Sequence, residues 1–214
     1  MVTSKLVKIA NQASAHDIAV AADIPSTQTF KDTLLTLRVA DAPSLSSDER
    51  ENIWNLWETN MRVLVEPSSF GWHPKSKRKE LFHRNARFIL VLDGEGSPAA
   101  TTLVAFAMFR FERDEGEDLL YCYELQVSGL FRSSGIGHLF VEKLTAIGKR
   151  WGMAKIMLTA LKSNVAAGRF YSKTGFQVDP SSPDYRPTSE DDDSPDEDAE
   201  DEPCDYEILS KTLK

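Results

Sequence analysis

The chain has 214 residues, 41% hydrophobic and 27% charged, with a net charge of −8 at pH 7, a size and balance that suit one soluble globular domain with a full core. Two cysteines, Cys122 and Cys204, rule out a disulfide framework or a zinc pattern and point to a reducing compartment. No apolar run reaches membrane-spanning length, and Asn11, Gln12, His16 and Asp17 interrupt any signal-peptide core behind Lys5 and Lys8.

In chain order, residues 4–23 are alanine-rich and read as one helix, with Leu6, Ile9, Ala10 and Ala13 at helical spacing. Residues 30–39 alternate and read as a strand. Ser46 and Glu49 form a capping box. It opens a helix with Ile53, Leu56, Trp57, Asn60, Met61 and Leu64 on one side; the tryptophans belong to the core. The segment 67–72 breaks that helix. A basic helix follows over about 74–84, its lysines serving a helix surface rather than nuclear import. Residues 87–92 are a strand, 93–96 a hairpin turn and 99–113 a longer strand. An acidic hairpin at 112–118 leads into a central strand, 119–127. After Gly135 comes a helix with Ile136, Phe140, Leu144, Ile147 and Trp151 toward the sheet. Residues 155–161 are a buried strand. Asn164 caps a short helix that Gly175 ends. Strands at 176–179 and 206–210 complete an α/β sheet with helices on both faces.

The charge is unevenly spread. Residues 190–202 hold ten acids and no base, which leaves the rest of the chain at +2. Pro195 interrupts the run and Pro203 follows it. A disordered, solvated loop is expected over about 186–203, either simply solubilising or attracting a basic polypeptide. His16, His73, His83 and His138 show no metal spacing, so no metal is expected.

The turn after the central strand carries Arg132-Ser133-Ser134-Gly135-Ile136-Gly137. Two glycines one residue apart let backbone approach a ligand. The unpaired amides and positive dipole end of a helix N-terminus make a cradle for a pyrophosphate. The third glycine of a dinucleotide fingerprint is absent, and so is the Lys-Ser/Thr of a Walker loop. Just upstream, Glu124 stands in an apolar strand, where a carboxylate is costly unless paired or used. Strict alternation puts Tyr121 and Tyr123 on one face and Glu124 on the other. A bulge here would bring Tyr123 and Glu124 into one cleft, and bulges favour active sites.

The Arg-x-x-Gly-x-Gly turn resembles the acetyl-CoA loop of the GCN5-related N-acetyltransferase (GNAT) superfamily. Asn164, Ala167, Tyr171 and Gly175-Phe176 match its second motif at the expected separation. Among GNAT families the chain most closely resembles the NatD N-terminal acetyltransferases, which act on histone-4 and histone-2A. The carrying stretches are Phe70-Gly71-Trp72, Phe109 to Glu112, Leu120 to Gln126, Met157 to Thr159, Asp179 with Ser181 to Pro183, and Asp205 to Ser210.

That resemblance implies a GNAT fold over 46–214, with 1–45 packing on it as a helix and strand. It implies Glu124 as the catalytic residue relaying the amine proton, with Tyr123 beside it. It places acetyl-CoA on Leu125, Gln126 and Val127, on Arg132, Ser133, Ser134, Gly135, Ile136, Gly137 and His138, and on Asn164 and Tyr171, the last matching the superfamily's thiolate-protonating tyrosine. The substrate N-terminus falls among Phe70, Trp72, Tyr121, Tyr123, Thr159, Ser181 and Tyr206, with Glu112 and Asp114 for a substrate arginine. The chain departs in having glutamate at 112 and a longer acidic run. The implied partners are histone tails, without nucleic acid or membrane. The implied protein is a monomer of nucleus and cytoplasm. A lysine or small-amine acetyltransferase, or a non-catalytic acyl-CoA- or histone-binding module, is the alternative.

Overall fold

The computed structural model describes residues 4–94, 101–186 and 204–213. Among them, helices lie on both faces of a sheet of eight strands. The strands are β1 (Thr27–Phe30), β2 (Thr33–Asp41), β3 (Arg87–Asp93), β4 (Thr102–Asp114), β5 (Glu117–Val127), β6 (Lys155–Leu161), β7 (Gln177–Val178) and β8 (Tyr206–Thr212). Their order is β1-β2-β3-β4-β5-β6-β8-β7. Neighbours are antiparallel except β5 and β6, which run parallel. A parallel pair needs a crossover, here α5 (Ile136–Arg150).

The helix expected over 4–23 is two, α1 (Lys5–Gln12) and α2 (Ala15–Ala21). Ser14 accepts from the Asp17 amide while Asp17 accepts from the Ser14 amide, so a new helix starts there instead of the old one continuing. Val7, Ala10 and Ile18 are buried, whereas Leu6 and Ile9 are half exposed. The strand expected at 30–39 is the second arm of a hairpin. Lys31 and Asp32 both take positive φ, +47° and +63°, the two-residue turn whose twist matches antiparallel strands. Without glycine the turn carries no obvious signal in the sequence.

α3 (Ser47–Val65) begins at the expected capping box of Ser46 and Glu49. α4 (Pro74–Leu81) is one turn shorter than the basic run suggests, with proline in its first turn. Of the hairpin turn at 93–96, residues 95 and 96 lie outside the described residues, as does the start of the strand expected from 99. The acidic run from 187 to 203 lies outside them too. α6 (Val165–Lys173) is capped by the Asn164 side chain and followed by Gly175 at φ +89°.

Two clusters form the core. On one face Ala105, Ala107, Phe109 and Phe111 of β4 meet α1, α2 and α5. On the other, Phe106 and Met108 meet Ile53, Trp54 and Trp57 of α3. β3 and β4 are therefore apolar on successive residues rather than on alternate ones, as strands covered on both faces are. Ser46→Ala removes half of the box that starts α3 and should lower stability by about 1 kcal/mol, read from the urea midpoint.

Candidate active site

β5 and β6 pair only between Leu119–Tyr121 and Lys155–Met157. Beyond Tyr121 they part, and among the described residues the facing backbone groups of β5 have no partner strand there. On the other side of β5, Glu124 faces Met108 and Cys122 faces Phe109, so Tyr123 is an extra residue opposite that step. This is the bulge that alternation required for Tyr123 and Glu124 to share a side. Cys122 packs into one core cluster and Tyr123 against the other. Tyr121 and Tyr123 stand 4.6 Å apart.

The parting opens a cleft of about 380 Å³, walled by Trp57, Lys77, Tyr121, Glu124, Thr159 and Tyr171 among others. The buried Glu124 carboxylate has three donors. Trp57 Nε1 donates to Oε1 at 2.9 Å, Gln126 Nε2 donates to Oε2 at 2.8 Å, and Lys77 Nζ lies 2.5 Å from Oε1. Three such partners offset the desolvation a lone carboxylate would suffer. Burial works against the Lys77 ammonium, but Glu124 and Glu80 outweigh it and hold it above the ordinary lysine range. Asn60 of α3 extends the network, donating to Gln126 Oε1 and the Val127 carbonyl and accepting from Arg132.

Three tyrosines face this carboxylate region with their protons held. Tyr121 hydrogen-bonds Thr159 at 2.6 Å, and burial raises its pKa. Tyr123 is raised further, by burial and then by Glu112, to which it donates at 2.9 Å. Tyr171 is pushed well above its usual value by burial, then by Cys122 and Glu124. All three remain hydrogen-bond donors at neutral pH.

The turn before α5 uses Ser133 at φ +59° and Gly135 at φ +98°. Left-handed residues in such a turn aim successive amides at a common point. The Ser134 hydroxyl is buried there without a partner, an orphan donor that suits an anionic oxygen. The two glycines differ in purpose. A Cβ on Gly135 would meet nothing within 4 Å, so Gly135 answers the backbone. A Cβ on Gly137 would lie 3.1 Å from Phe170, so Gly137 lets α5 pack on α6. His138 also stands edge-on to Phe170, at 5.3 Å. None of residues 132–138 lines the cleft itself.

Of the remaining candidates, Phe70, Leu125, Gln126 and Asn164 line the cleft. Tyr206 packs on Phe70 at 5.1 Å. Trp72 stacks on Trp57 at 5.5 Å, as part of the wall behind it. Ser181 donates to Asp179, which pairs with Lys155, away from the cleft lining. Glu112 holds the Tyr123 hydroxyl and lies 3.8 Å from Arg110, while Asp114 is exposed at the hairpin end of the same strand. Trp57 and Lys77 were not singled out as site residues by sequence reasoning. Trp57 carried only a core signal, and nothing in spacing separates Lys77 from Lys75 and Lys79. Among the described residues no cluster of His, Cys, Asp and Glu could hold a metal ion.

The model of the Acetyltransferase (GNAT) family matches residues 51–176. Solved structures with similar folds include an acetyltransferase from Streptococcus agalactiae (TM-score 0.58, 13% identity, covering 83% of this chain and 98% of that one). The NatC complex bound to Gag peptide and CoA gives 0.57 at 17% identity, covering 84% and 99%. Arabidopsis thaliana Naa50 in complex with the bisubstrate analogue CoA-Ac-MVNAL gives 0.50 at 18%, covering 82% and 98%.

The Cys122 thiol is pushed up to about 12 by burial and then by Glu124. Since the thiolate is the nucleophile, only about 10⁻⁴ of Cys122 is reactive at pH 8. Iodoacetamide at that pH should alkylate the half-buried Cys204 in the native protein and both cysteines after denaturation, as read by peptide mass spectrometry.

Proposed function

The chain belongs to the GNAT acetyltransferase family, and on that premise we propose that the acceptor it acetylates from acetyl-CoA is the α-amine of a protein N-terminus, with histone-4 and histone-2A tails as the substrates. The observation that carries this reading is Glu124, a paired carboxylate set by a bulge beside Tyr123 in the cleft where β5 and β6 part. The unpaired edge of β5 past Tyr121 takes the pantetheine arm. The amides around Gly135 and the orphan Ser134 hydroxyl take the pyrophosphate. The amine attacks the thioester carbon, the carbon–sulfur bond breaks, and the amine's proton passes to Glu124, through water where reach requires it. The leaving thiolate takes up the proton that left the amine, and the Tyr171 hydroxyl, which burial keeps protonated, donates a hydrogen bond to it.

A magnitude favours an α-amine over lysine. The α-amine titrates at ~7.7–8.0 and lysine at ~10.4, so lysine costs roughly 3–4 kcal/mol more to deprotonate near neutral pH. Glu124 already carries three donors, and an acceptor that is partly neutral asks least of it. NatC and Naa50 are N-terminal acetyltransferases of similar fold, consistent with this acceptor. The histone reading rests on Glu112 and Asp114, two acids on the face of β4 that leads from Tyr123. Arginine offers a planar fork that a carboxylate accepts at two points. Tyr123, Thr159 and Tyr206 leave room for a small first residue. Such a monomer would meet its substrate in nucleus and cytoplasm.

The test is a peptide panel with acetyl-CoA, read by mass spectrometry. Ser-Gly-Arg-Gly peptides with a free N-terminus should be acetylated, and N-blocked ones carrying internal lysine should not. A charge-assisted contact contributes roughly 1.5–3 kcal/mol, so Ser-Gly-Arg-Gly should exceed Ser-Gly-Ala-Gly by about ten- to a hundred-fold in kcat/KM. Glu112→Ala/Asp114→Ala should lose most of that preference; equal discrimination by both proteins would remove the acids from the reading. Acetylation of the blocked lysine peptides instead would make this a lysine acetyltransferase.

Glu124→Gln should lower kcat by ~10²–10⁴-fold while calorimetry finds acetyl-CoA binding intact. A fully active variant would take Glu124 out of the mechanism.

A further inference from the structure

α4 is the most basic helix of the chain, and its cations do different things. Lys75 and Lys79 are exposed. Arg78 makes two 2.9 Å hydrogen bonds to Glu51 and lies over Trp54. Lys77 alone turns into the cleft. Its side chain is 21% exposed, and the Glu124 carboxylate it meets at 2.5 Å is 8% exposed. Lys77 also pairs with Glu80, three residues along the same helix, and its ammonium lies 5.4 Å over the Trp57 ring.

An ammonium between two carboxylates and against an aromatic face has what an arriving α-ammonium would need. We propose that the Lys77 ammonium is a resident stand-in for the acceptor amine, occupying the amine subsite at Glu124 in the empty cleft until the substrate N-terminus displaces it onto Glu80. The proposal rests on reading this cleft as the acceptor site. Two cations cannot share one face of Glu124 without repelling each other in a site sheltered from water. Lysine has a flexible four-carbon stem, so its ammonium can keep Glu80 and give up Glu124 without moving α4. Glu124 and Glu80 hold Lys77 above the ordinary lysine range against burial, so it stays an ammonium and does not itself attack the thioester. In this role Lys77 keeps the buried carboxylate paired between turnovers.

The apparent affinity for an acceptor is the intrinsic one multiplied by the fraction of sites the stand-in leaves free, so occupancy of about nine sites in ten costs about tenfold. Lys77→Met keeps the bulk of the stem and removes the charge. At saturating acetyl-CoA it should lower KM for the free-N-terminus peptide by roughly tenfold, since the occupied fraction is lost; KM is the readout, because Lys77 is also a partner of Glu124 and kcat can change with it. Lys77→Arg keeps a competing cation and should hold KM near wild type. A KM unchanged or raised in Lys77→Met would overturn the proposal, whatever kcat does. A second measurement needs no variant. Trace acetic anhydride labelling of Lys77, read by peptide mass spectrometry in the presence of CoA, should rise when a free-N-terminus peptide is added and not when its N-acetylated form is added. Equal labelling in both would overturn the proposal. Should the wild type acetylate lysine peptides and no free N-terminus, the proposed acceptor fails, and the same KM comparison with the lysine peptide decides the role of Lys77 separately.

Discussion

The site depends on one extra residue in β5. Opposite the step from Met108 to Phe109, the strand spends Cys122, Tyr123 and Glu124 where its partner spends two residues. Without that residue the side-chain period of two would send Glu124 into the cluster around Phe109 and Phe111, where it would find no donor. With it, Cys122 stays in the apolar cluster while Tyr121, Tyr123 and Glu124 all reach the cleft. β5 is held along its other edge by β4 over its whole length, so the irregularity has a rigid frame. The parting from β6, whose last pair with β5 is at Tyr121 just before the bulge, completes the opening.

Charge in the cleft is arranged around that carboxylate. Glu124 draws on α3 for Trp57, on α4 for Lys77 and on its own strand for Gln126. Helices on one face of the sheet thus supply the partners of a residue on a strand in its middle. The α3 helix is placed for this by ordinary means, a capping box at its start and Ile53, Trp54 and Trp57 buried along one side. Trp57 serves both purposes, its ring stacked on Trp72 in the core and its N–H on Glu124. The tyrosines around the carboxylate have their titration pushed upward, so that near neutral pH they surround it as protonated donors.

The turn before α5 divides its labour in a similar way. Gly135 satisfies a left-handed backbone and Gly137 a close helix contact. A pattern of two glycines that reads as one device is half backbone conformation and half packing. Arg132, within the same motif, reaches back to Asn60 and ties the turn to α3. The loop that would hold the pyrophosphate and the network around Glu124 therefore share a support.

By itself the sequence determined the features whose causes lie within a few residues. The capping box at Ser46, the ends of β6, the Asn164 cap and Gly175 stop of α6, and the apolar face of α5 follow from hydrogen bonds and periodicities that close locally. The two-glycine turn before α5 and the Glu124 anomaly belong here too, since both stand in the string, the one as Gly135 and Gly137 and the other as a carboxylate among apolar neighbours. The break at Ser14 and the Lys31–Asp32 turn are equally local but hard to see in the string, because alanine-rich and glycine-free segments give weak punctuation. Only the tertiary structure decided what meets Glu124. Trp57 is 67 positions away, and Lys77 stands in a basic helix with nothing to mark it among its neighbours. Their convergence comes from packing α3 and α4 on one face of a twisted sheet, a long-range outcome that no window of the sequence contains.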